Sequence, residues 1–344
     1  MSTSLTSAPD QLRPVASSVS NSAPSFIDTL VRSVRIEAED IRSFELAPLP
    51  GEQLPDWTPG AHIQVRLAGG LTRAYSLCNH PGETGSYRIA VKLEAQSRGG
   101  SRAMHGLAPG DRVQISAPRN LFGLDMAATA HVLIAGGIGV TPLYAMFNAL
   151  KDHAECEMHY FARSNLHAAF SDRLSQRSHL HHGLDAEGTL QTLRALAAMH
   201  ARRPGTVFYT CGPAAFMDAV EKTLAAAGIP AAQLRSERFG TEATPAKPVS
   251  GEALPSGSFR IVFARSKIEA EVTRGESIIG VARAHGVDIP SSCEQGVCGA
   301  CLSDVLDGTP EHLDAYLSSA EQAGNKLILP CVSRCAGACL VIDR

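Results

Sequence analysis

The chain has 344 residues, 44% of them hydrophobic and 19% charged, with a formal net charge of −3. That length accommodates two or three domains with real cores, and the absence of a basic stripe argues against nucleic acid as a partner. No apolar run is long enough to span a bilayer, so no membrane association is expected. Residues 1–25 are rich in Ser, Ala and Pro and lack the apolar stretch of a secretory signal. They have too little apolar surface to offset the entropy of ordering, and read as a disordered tail. The protein is accordingly expected to be soluble and cytoplasmic, where thiols stay reduced.

Residues 26–126 carry short alternating runs, VRSVRIEAEDIRSFELAP, HIQVRL, RAYSLCN, YRIAVKLE and DRVQISAP. Period-two runs separated by turns predict a small antiparallel β-barrel. In TRAYSLCN, Arg73 offers a phosphate ligand, Tyr75 a ring cover and Ser76 a hydroxyl donor, although the same residues are also ordinary strand content. SRGGSRAMHG adds a glycine turn opening a short helix, a geometry suited to phosphate.

Residues 127–241 begin with HVLIAGGIGVTPLYAMFNALKDH. VLIA reads as a buried parallel strand, followed by a glycine turn and a helix whose free N–H groups face an anion. Gly137 and Gly139 fit G-x-G, but Pro142 stands where a third glycine is usual. CEMHYFARS, GTVFYTCGP and AAFMDAVEKTLAAAG continue the strand–helix alternation, which predicts a parallel sheet with crossover helices. At the end of the second strand, where an acid normally holds the ribose, stand Arg163 and Ser164; an arginine there can accept a 2′-phosphate. His179, His181 and His182 in SHLHHGLD read as a solvent-facing strand end, with a metal site as the other reading.

Residues 242–257, Pro- and Gly-rich and without periodicity, read as a linker. From 258 to 344, FRIVFARS and IEAEVTRG predict a hairpin and ESIIGVARAHGV a helix that stops at Gly286. Then Cys293, Cys298 and Cys301 stand as C-x4-C-x2-C, with Cys331 further on. This is the ligand spacing of a plant-type [2Fe–2S] cluster. Gly296 and Gly299 supply the backbone freedom that lets N–H groups point at the cluster sulfurs. A structural zinc site, the other reading, more often uses two separated C-x2-C pairs. Cys335 and Cys339 are spare and expected to behave as small hydrophobes. Eight Lys and Arg against eleven Asp and Glu lie from Ser258 onward, so the net negative charge falls in this module.

The succession of a barrel with R-x-Y-S-L, then G-G-I-G-x-T-P, then C-G-P, then C-x4-C-x2-C…C resembles the phthalate dioxygenase reductase family, to which vanillate O-demethylase reductases belong. The resemblance spans residues 26–344 and implies three domains: an antiparallel β-barrel flavin domain, an α/β parallel-sheet nucleotide domain and an α+β plant-type ferredoxin domain. It implies FMN along Arg73, Tyr75, Ser76 and Leu77, with Lys92, Gly99, Gly100 and Ser101 near its phosphate. The nicotinamide nucleotide is expected against Gly136, Gly137, Gly139, Thr141 and Pro142. Cys211, Gly212 and Pro213 are expected beside the nicotinamide, and Phe239 beside the flavin. Ser76, as a donor near flavin N5, and Cys211 are the expected catalytic residues. Cys293, Cys298, Cys301 and Cys331 are the expected cluster ligands.

NADH releases two electrons together and a [2Fe–2S] cluster takes one, so a flavin must stand between them. The implied function is an NADH-dependent reductase, expected to be a monomer, feeding a terminal Rieske-type oxygenase or O-demethylase; the alternative is another acceptor such as a cytochrome P450. A nucleotide-sensing metal module without catalysis is the competing class. The acidic edge of Asp304, Asp307, Glu311 and Asp314 is expected to meet a basic patch on the oxygenase.

Overall fold

The computed structural model describes residues 26–68, 71–80, 83, 85–97, 99–150, 155–174, 178–201, 203–239, 257–291, 294, 296, 298–314, 316–317 and 319–344. The expected tail, all of the expected linker but Gly257, and Cys293 lie outside these residues.

The first unit comprises β1 (Phe26–Ala38), β2 (Ile41–Pro48), β3 (Ala61–Arg66), β4 (Thr72–Ser76), β5 (Tyr87–Lys92), the short helix α1 (Gly100–His105), β6 (Arg112–Ser116) and β7 (Arg119–Asn120). The strands run in the order β4-β3-β6-β1-β2-β5, with β7 beside β3, and every pairing is antiparallel. A further antiparallel bridge, Leu77 to Ile89, joins the end of β4 to β5 and closes the sheet into the expected barrel. Alternation fills it: Ile63 and Val65 on β3, Ile89 and Val91 on β5, and Leu77 share one buried cluster, as period-two side chains must when one face is enclosed.

The second unit comprises β8 (Ala130–Gly136), α2 (Val140–Leu150), β9 (Glu155–Ala162), β10 (Ser178–His182), α3 (Ala186–His200), β11 (Thr206–Gly212), α4 (Ala214–Ala226) and β12 (Leu234–Arg238). The sheet is parallel, in the order β10-β9-β8-β11-β12. Both faces of β8 are covered. Val132 and Ile134 belong to the cluster with Leu193, Leu196 and Val220 of α3 and α4; Leu133 and Ala135 belong to the cluster with Leu143 and Phe147 of α2. Two-sided burial is why this strand reads as a continuous apolar run. The chain leaves β8 toward β9 on one side and returns to β11 on the other, so the switch point lies between β8 and β11. In open parallel sheets ligands bind at the carboxyl ends of the strands at that point.

The third unit comprises β13 (Phe259–Phe263), β14 (Ile268–Val272), α5 (Ile278–Ala284), β15 (Ser303–Asp307), β16 (Pro310–Glu311), α6 (Ser319–Gly324), β17 (Leu327–Ile328), β18 (Arg334–Cys335) and β19 (Cys339–Ile342). Its mixed sheet runs β14-β13-β19-β15-β17, with β16 and β18 paired apart from it. The expected hairpin is β13 and β14, and α5 ends before Gly286, which takes the left-handed conformation at φ 74°. No helix among the described residues is long and apolar enough to cross a membrane.

Candidate functional site

Strand β4 connects the three units. At its carboxyl end Ser76 is buried and donates its Oγ–H to Glu237 Oε2 at 3.3 Å. Glu237 stands on β12, directly across the parallel ladder from Cys211 on β11. Part of its surface reaches solvent, yet its dense surroundings push the carboxyl up to about 7, against the pull of the Ser76 hydroxyl. Cys211 is fully buried. Burial, with the Glu237 charge beside it, holds its thiol well above the usual range. It is therefore a neutral, packed thiol and not a nucleophile.

Glycines let the two expected nicotinamide turns touch. A Cβ on Gly139 would lie 2.2 Å from the Cys211 carbonyl oxygen, and one on Gly212 would lie 3.0 Å from Gly136 Cα. A Cβ on Gly136 would meet the Phe216 ring at 2.7 Å and Pro213 Cδ at 3.1 Å. Gly137 is left-handed, with φ 53°, as the strand turns through Gly137–Gly139 into α2. Thr141 Oγ1 donates to the Ile138 carbonyl at 3.0 Å, and Thr141 and Pro142 are buried in the first turn of α2. Phe239, just past β12, packs against the buried cluster that contains Cys211 and Leu143. Ser76, Glu237, Cys211 and the two glycine turns thus gather at the switch point.

At the other end of β4, Arg73 Nη1 donates to the carbonyls of Thr72 at 2.8 Å and Ser291 at 3.3 Å. Its side chain crosses Gly100, where a Cβ would lie 2.7 Å from Arg73 Cγ and Nε. R-x-Y-S and the G-G-S turn therefore meet. Gly99, left-handed at φ 95°, donates its N–H to Ser97 Oγ at 3.1 Å, and Ser97 is also hydrogen-bonded to Ser101 at 3.0 Å. Tyr75 is half-buried against the barrel core, and burial pushes its phenol above the usual range. Two residues sit differently from the rest. The Leu77 side chain lies wholly in the barrel core. The Lys92 ammonium is engaged by Glu94 at 3.2 Å and Asp40 at 4.0 Å.

The cysteine loop lies on this same strand. Cys298, Cys301 and Cys331 are buried and free of disulfides. Cys301 and Cys331 hydrogen-bond to each other, and together with burial this holds the Cys301 thiol well above its ordinary range. Glu294, Gly296 and Gly299 all adopt the left-handed conformation. A Cβ on Gly299 would lie 2.0 Å from the Tyr316 ring, and one on Gly296 would lie 2.6 Å from Val332, so the loop tolerates only glycine there. Convergent buried thiols over a glycine-opened backbone are the donor chemistry of a [2Fe–2S] cluster. Cys293 lies outside the described residues. Cys335 donates its thiol to the Cys339 carbonyl at 3.3 Å and belongs to the core of the third unit; Cys339 is only half-buried on β19.

Docking runs through Gln64 and Ala74, cross-strand neighbours on β3 and β4. Gln64 Nε2 donates to the Cys298 carbonyl at 3.0 Å, and Ala74 packs against Cys298 and Ala300. Arg119 on β7 fixes the edge: its guanidinium lies 3.7 Å from the Tyr316 ring centroid, and Nη2 donates to the Tyr316 carbonyl at 2.6 Å and to Glu321 at 3.1 Å. Glu237, Gln64 and Arg119 are absent from the sequence reading. Glu237 carried one signal, an acid two residues before the aromatic in SERFG. Gln64 and Arg119 carried none. Asp314 is corrected: its side chain is buried and accepts from Leu317 N at 2.8 Å, Tyr316 N at 3.2 Å and Ser333 Oγ at 3.2 Å. It shapes the loop after the cysteines and is not part of an acidic surface.

Three family models match in succession: an oxidoreductase FAD-binding domain over residues 29–123, the N-terminal domain of a DmmA-like dimethylamine monooxygenase subunit over 116–234, and a 2Fe-2S iron-sulfur cluster binding domain over 261–336. The chain is 40% identical to a vanillate O-demethylase oxidoreductase of Pseudomonas sp. (strain HR199 / DSM 7063) over 322 residues, 92% of this chain and 99% of that one. Among solved structures it is similar to phthalate dioxygenase reductase, a modular structure for electron transfer from pyridine nucleotides to [2Fe-2S], with TM-score 0.65 and 33% identity, covering 93% of this chain and 98% of that one. It is also similar to part of an intact type IV self-sufficient cytochrome P450 monooxygenase, with TM-score 0.71 and 33% identity, covering 93% of this chain and 41% of that one.

Proposed function

Because the chain belongs to the phthalate dioxygenase reductase family of flavin- and iron–sulfur-dependent oxidoreductases, we propose that it passes electrons from NADH by way of FMN and a [2Fe–2S] cluster to a partner Rieske-type oxygenase or O-demethylase. The observation that carries this reading is the position of β4, with Ser76 at the Glu237–Cys211 junction and Ala74 against Cys298. When bound, the flavin supplies the conversion between two-electron hydride chemistry and one-electron transfer.

The chain's own part is positional. The Gly139 and Cys211 turns, which touch, would hold a nicotinamide beside the barrel, where hydride transfer needs near contact between rings. Ser76 offers its hydroxyl to the flavin edge while Glu237 fixes its rotamer. Cys211 and Phe239 exclude water from the same place. Arg73 and the Gly99–Ser101 turn hold phosphate, and Tyr75 covers the ring system. Cys298, Cys301 and Cys331, with Cys293, hold the iron. The working units are taken as 26–126, 127–241 and 258–344. The protein is read as cytoplasmic, since the cluster cysteines need a reducing compartment, and as a monomer.

FMN is assigned from the family resemblance, although the matching barrel model is described as FAD-binding. Mass spectrometry of the released flavin tests it: FMN is expected, and FAD would overturn it. NADH is preferred over NADPH despite exposed Arg163 just past β9; the kcat/KM ratio for the two nucleotides tests this. The similarity to a self-sufficient cytochrome P450 monooxygenase favours a second reading, in which the acceptor is a P450. Anaerobic reduction of a Rieske oxygenase and of a P450 by the NADH-reduced enzyme separates the two, with fast reduction expected only for the Rieske protein.

A further inference from the structure

On the nucleotide sheet, away from the crevice, four side chains converge that the electron-transfer function does not use. Strands β9 and β10 are parallel, with His159 opposite His179. Glu157 and His181 lie two positions from them along the strands, so period-two geometry puts all four on one face. The last residue of α3, His200, comes down onto that face. Glu157 Oε1 lies 2.9 Å from His159 Nε2 and 3.4 Å from His179 Nε2, while Oε2 lies 3.3 Å from His200 Nε2. One carboxylate is thus ringed by three imidazole nitrogens.

These separations have a chemical meaning. Zinc bonds to nitrogen at about 2.0 Å in tetrahedral geometry, which sets ligand atoms about 3.3 Å apart. The distances from Glu157 Oε1 to His159 and His179 fall around that value. The ligand-capable atoms of Glu157, His159 and His179 all lie within 4.8 Å of one another. His200 is only 3% exposed, and its Nε2 lies 3.3 Å from the second oxygen of Glu157, so it holds the carboxylate from the far side. It also sits at the carboxyl end of a 15-residue helix, where the macrodipole favours a cation. His181 Nε2 lies 3.1 Å from His159 Nδ1; with His159 Nε2 on a metal, its Nδ1–H would donate to His181, the outer contact that orients ligating histidines.

We propose that Glu157, His159 and His179 form a site for one divalent transition-metal ion of the zinc class, with His200 Nε2 against the second oxygen of Glu157. Two imidazoles and a carboxylate suit zinc, nickel or cobalt and not calcium or magnesium, which take oxygen ligands. The ion would clamp the edge strand β10 onto β9. The His181 ring stacks on Phe161 at 4.5 Å, and Phe161 meets Phe216 at 5.2 Å, whose ring borders Gly136 and Gly212. The clamp therefore abuts the packing behind the glycine turns.

The experiment is a zinc titration of the full holoprotein, dialysed against a chelator too weak to remove cluster iron, followed by calorimetry and zinc X-ray absorption. Expected are one zinc per chain, a nitrogen and oxygen shell without sulfur, and a raised unfolding temperature. His179→Ala, at a half-exposed side chain that leaves the fold intact, should weaken zinc binding at least tenfold. His182→Ala, at an exposed neighbour outside the ring, should leave it unchanged. Absence of stoichiometric binding, sulfur in the shell, or unaltered affinity in His179→Ala would overturn the proposal.

Discussion

The barrel makes two seams, and they are built from different materials. Against the nucleotide sheet it contributes Ile41, Cys78 and Ala90 to one continuous apolar cluster with Leu143, Tyr144, Phe147 and Phe170. Against the ferredoxin unit the contact is largely polar: Gln64, Arg73 and Arg119 reach backbone carbonyls and Glu321, around a small patch of Ala74, Cys298 and Ala300. The difference matches the chemistry at each seam. Hydride moves only between rings in near contact, which calls for a fixed joint with a shared core. A single electron crosses a wider gap. Polar seams between domains permit relative motion more readily than a shared core does.

The largest effect is expected from breaking the apolar seam. Phe170 is fully buried and stacks on Tyr144 with centroids 4.6 Å apart. Phe170→Ala should cost about 3–5 kcal/mol in urea unfolding, the range for a deleted core aromatic, and should lower the rate of flavin reduction as the joint loosens. Arg119→Ala attacks the polar seam. It should leave the unfolding midpoint of the barrel and nucleotide units nearly unchanged, while cluster reduction after flavin reduction slows about tenfold, the size of a lost charge-assisted contact. Freeze-quench EPR measures it.

Glu237 sharpens the comparison at the junction of barrel and nucleotide sheet. A carboxyl raised from 4.5 to about 7 keeps its proton in the folded protein after the unfolded chain has lost it. Stability therefore falls as pH rises across that window and levels off above it. Glu237→Gln removes the effect, so its gain in melting temperature over the wild type should be larger at about pH 8 than at about pH 5. The smallest effect concerns the outward face. Asp307 is exposed and Asp304 half-buried, beside exposed Leu306 and Leu313. If acidic steering guides the oxygenase, transfer should slow with salt, and less so in the Asp304→Asn, Asp307→Asn double variant, because steering acts on association over about 8 Å at physiological ionic strength. Transfer indifferent to salt would make the exposed leucines the docking face.

What the sequence discloses follows the range of each interaction. The barrel alternation, the VLIA strand with its glycine turn, and the cysteine spacing are local patterns, and each corresponds to an element of the structure. The meeting of Gly139 with Cys211 spans 72 positions, but glycine and the C-G-P turn mark both sides of it. The Ser76–Glu237 bond and the Gln64–Cys298 contact span 161 and 234 positions and join separate units, so no periodicity records them. Asp314 misled for the converse reason. It lies in a run of acids, and only the folded loop turns its carboxylate inward to bond Tyr316, Leu317 and Ser333.

The most direct test of an ordered path through flavin and then cluster is anaerobic stopped-flow of Cys331→Ser beside Cys335→Ser, with NADH as donor and a Rieske oxygenase as acceptor. Cys331→Ser should bleach its flavin at the wild-type rate, lack the cluster EPR signal and fail to reduce the oxygenase. Cys335→Ser, whose thiol donates to the Cys339 carbonyl, should match the wild type in all three. Oxygenase reduction at the wild-type rate by Cys331→Ser, or loss of the cluster signal in Cys335→Ser, would contradict the path and its ligands.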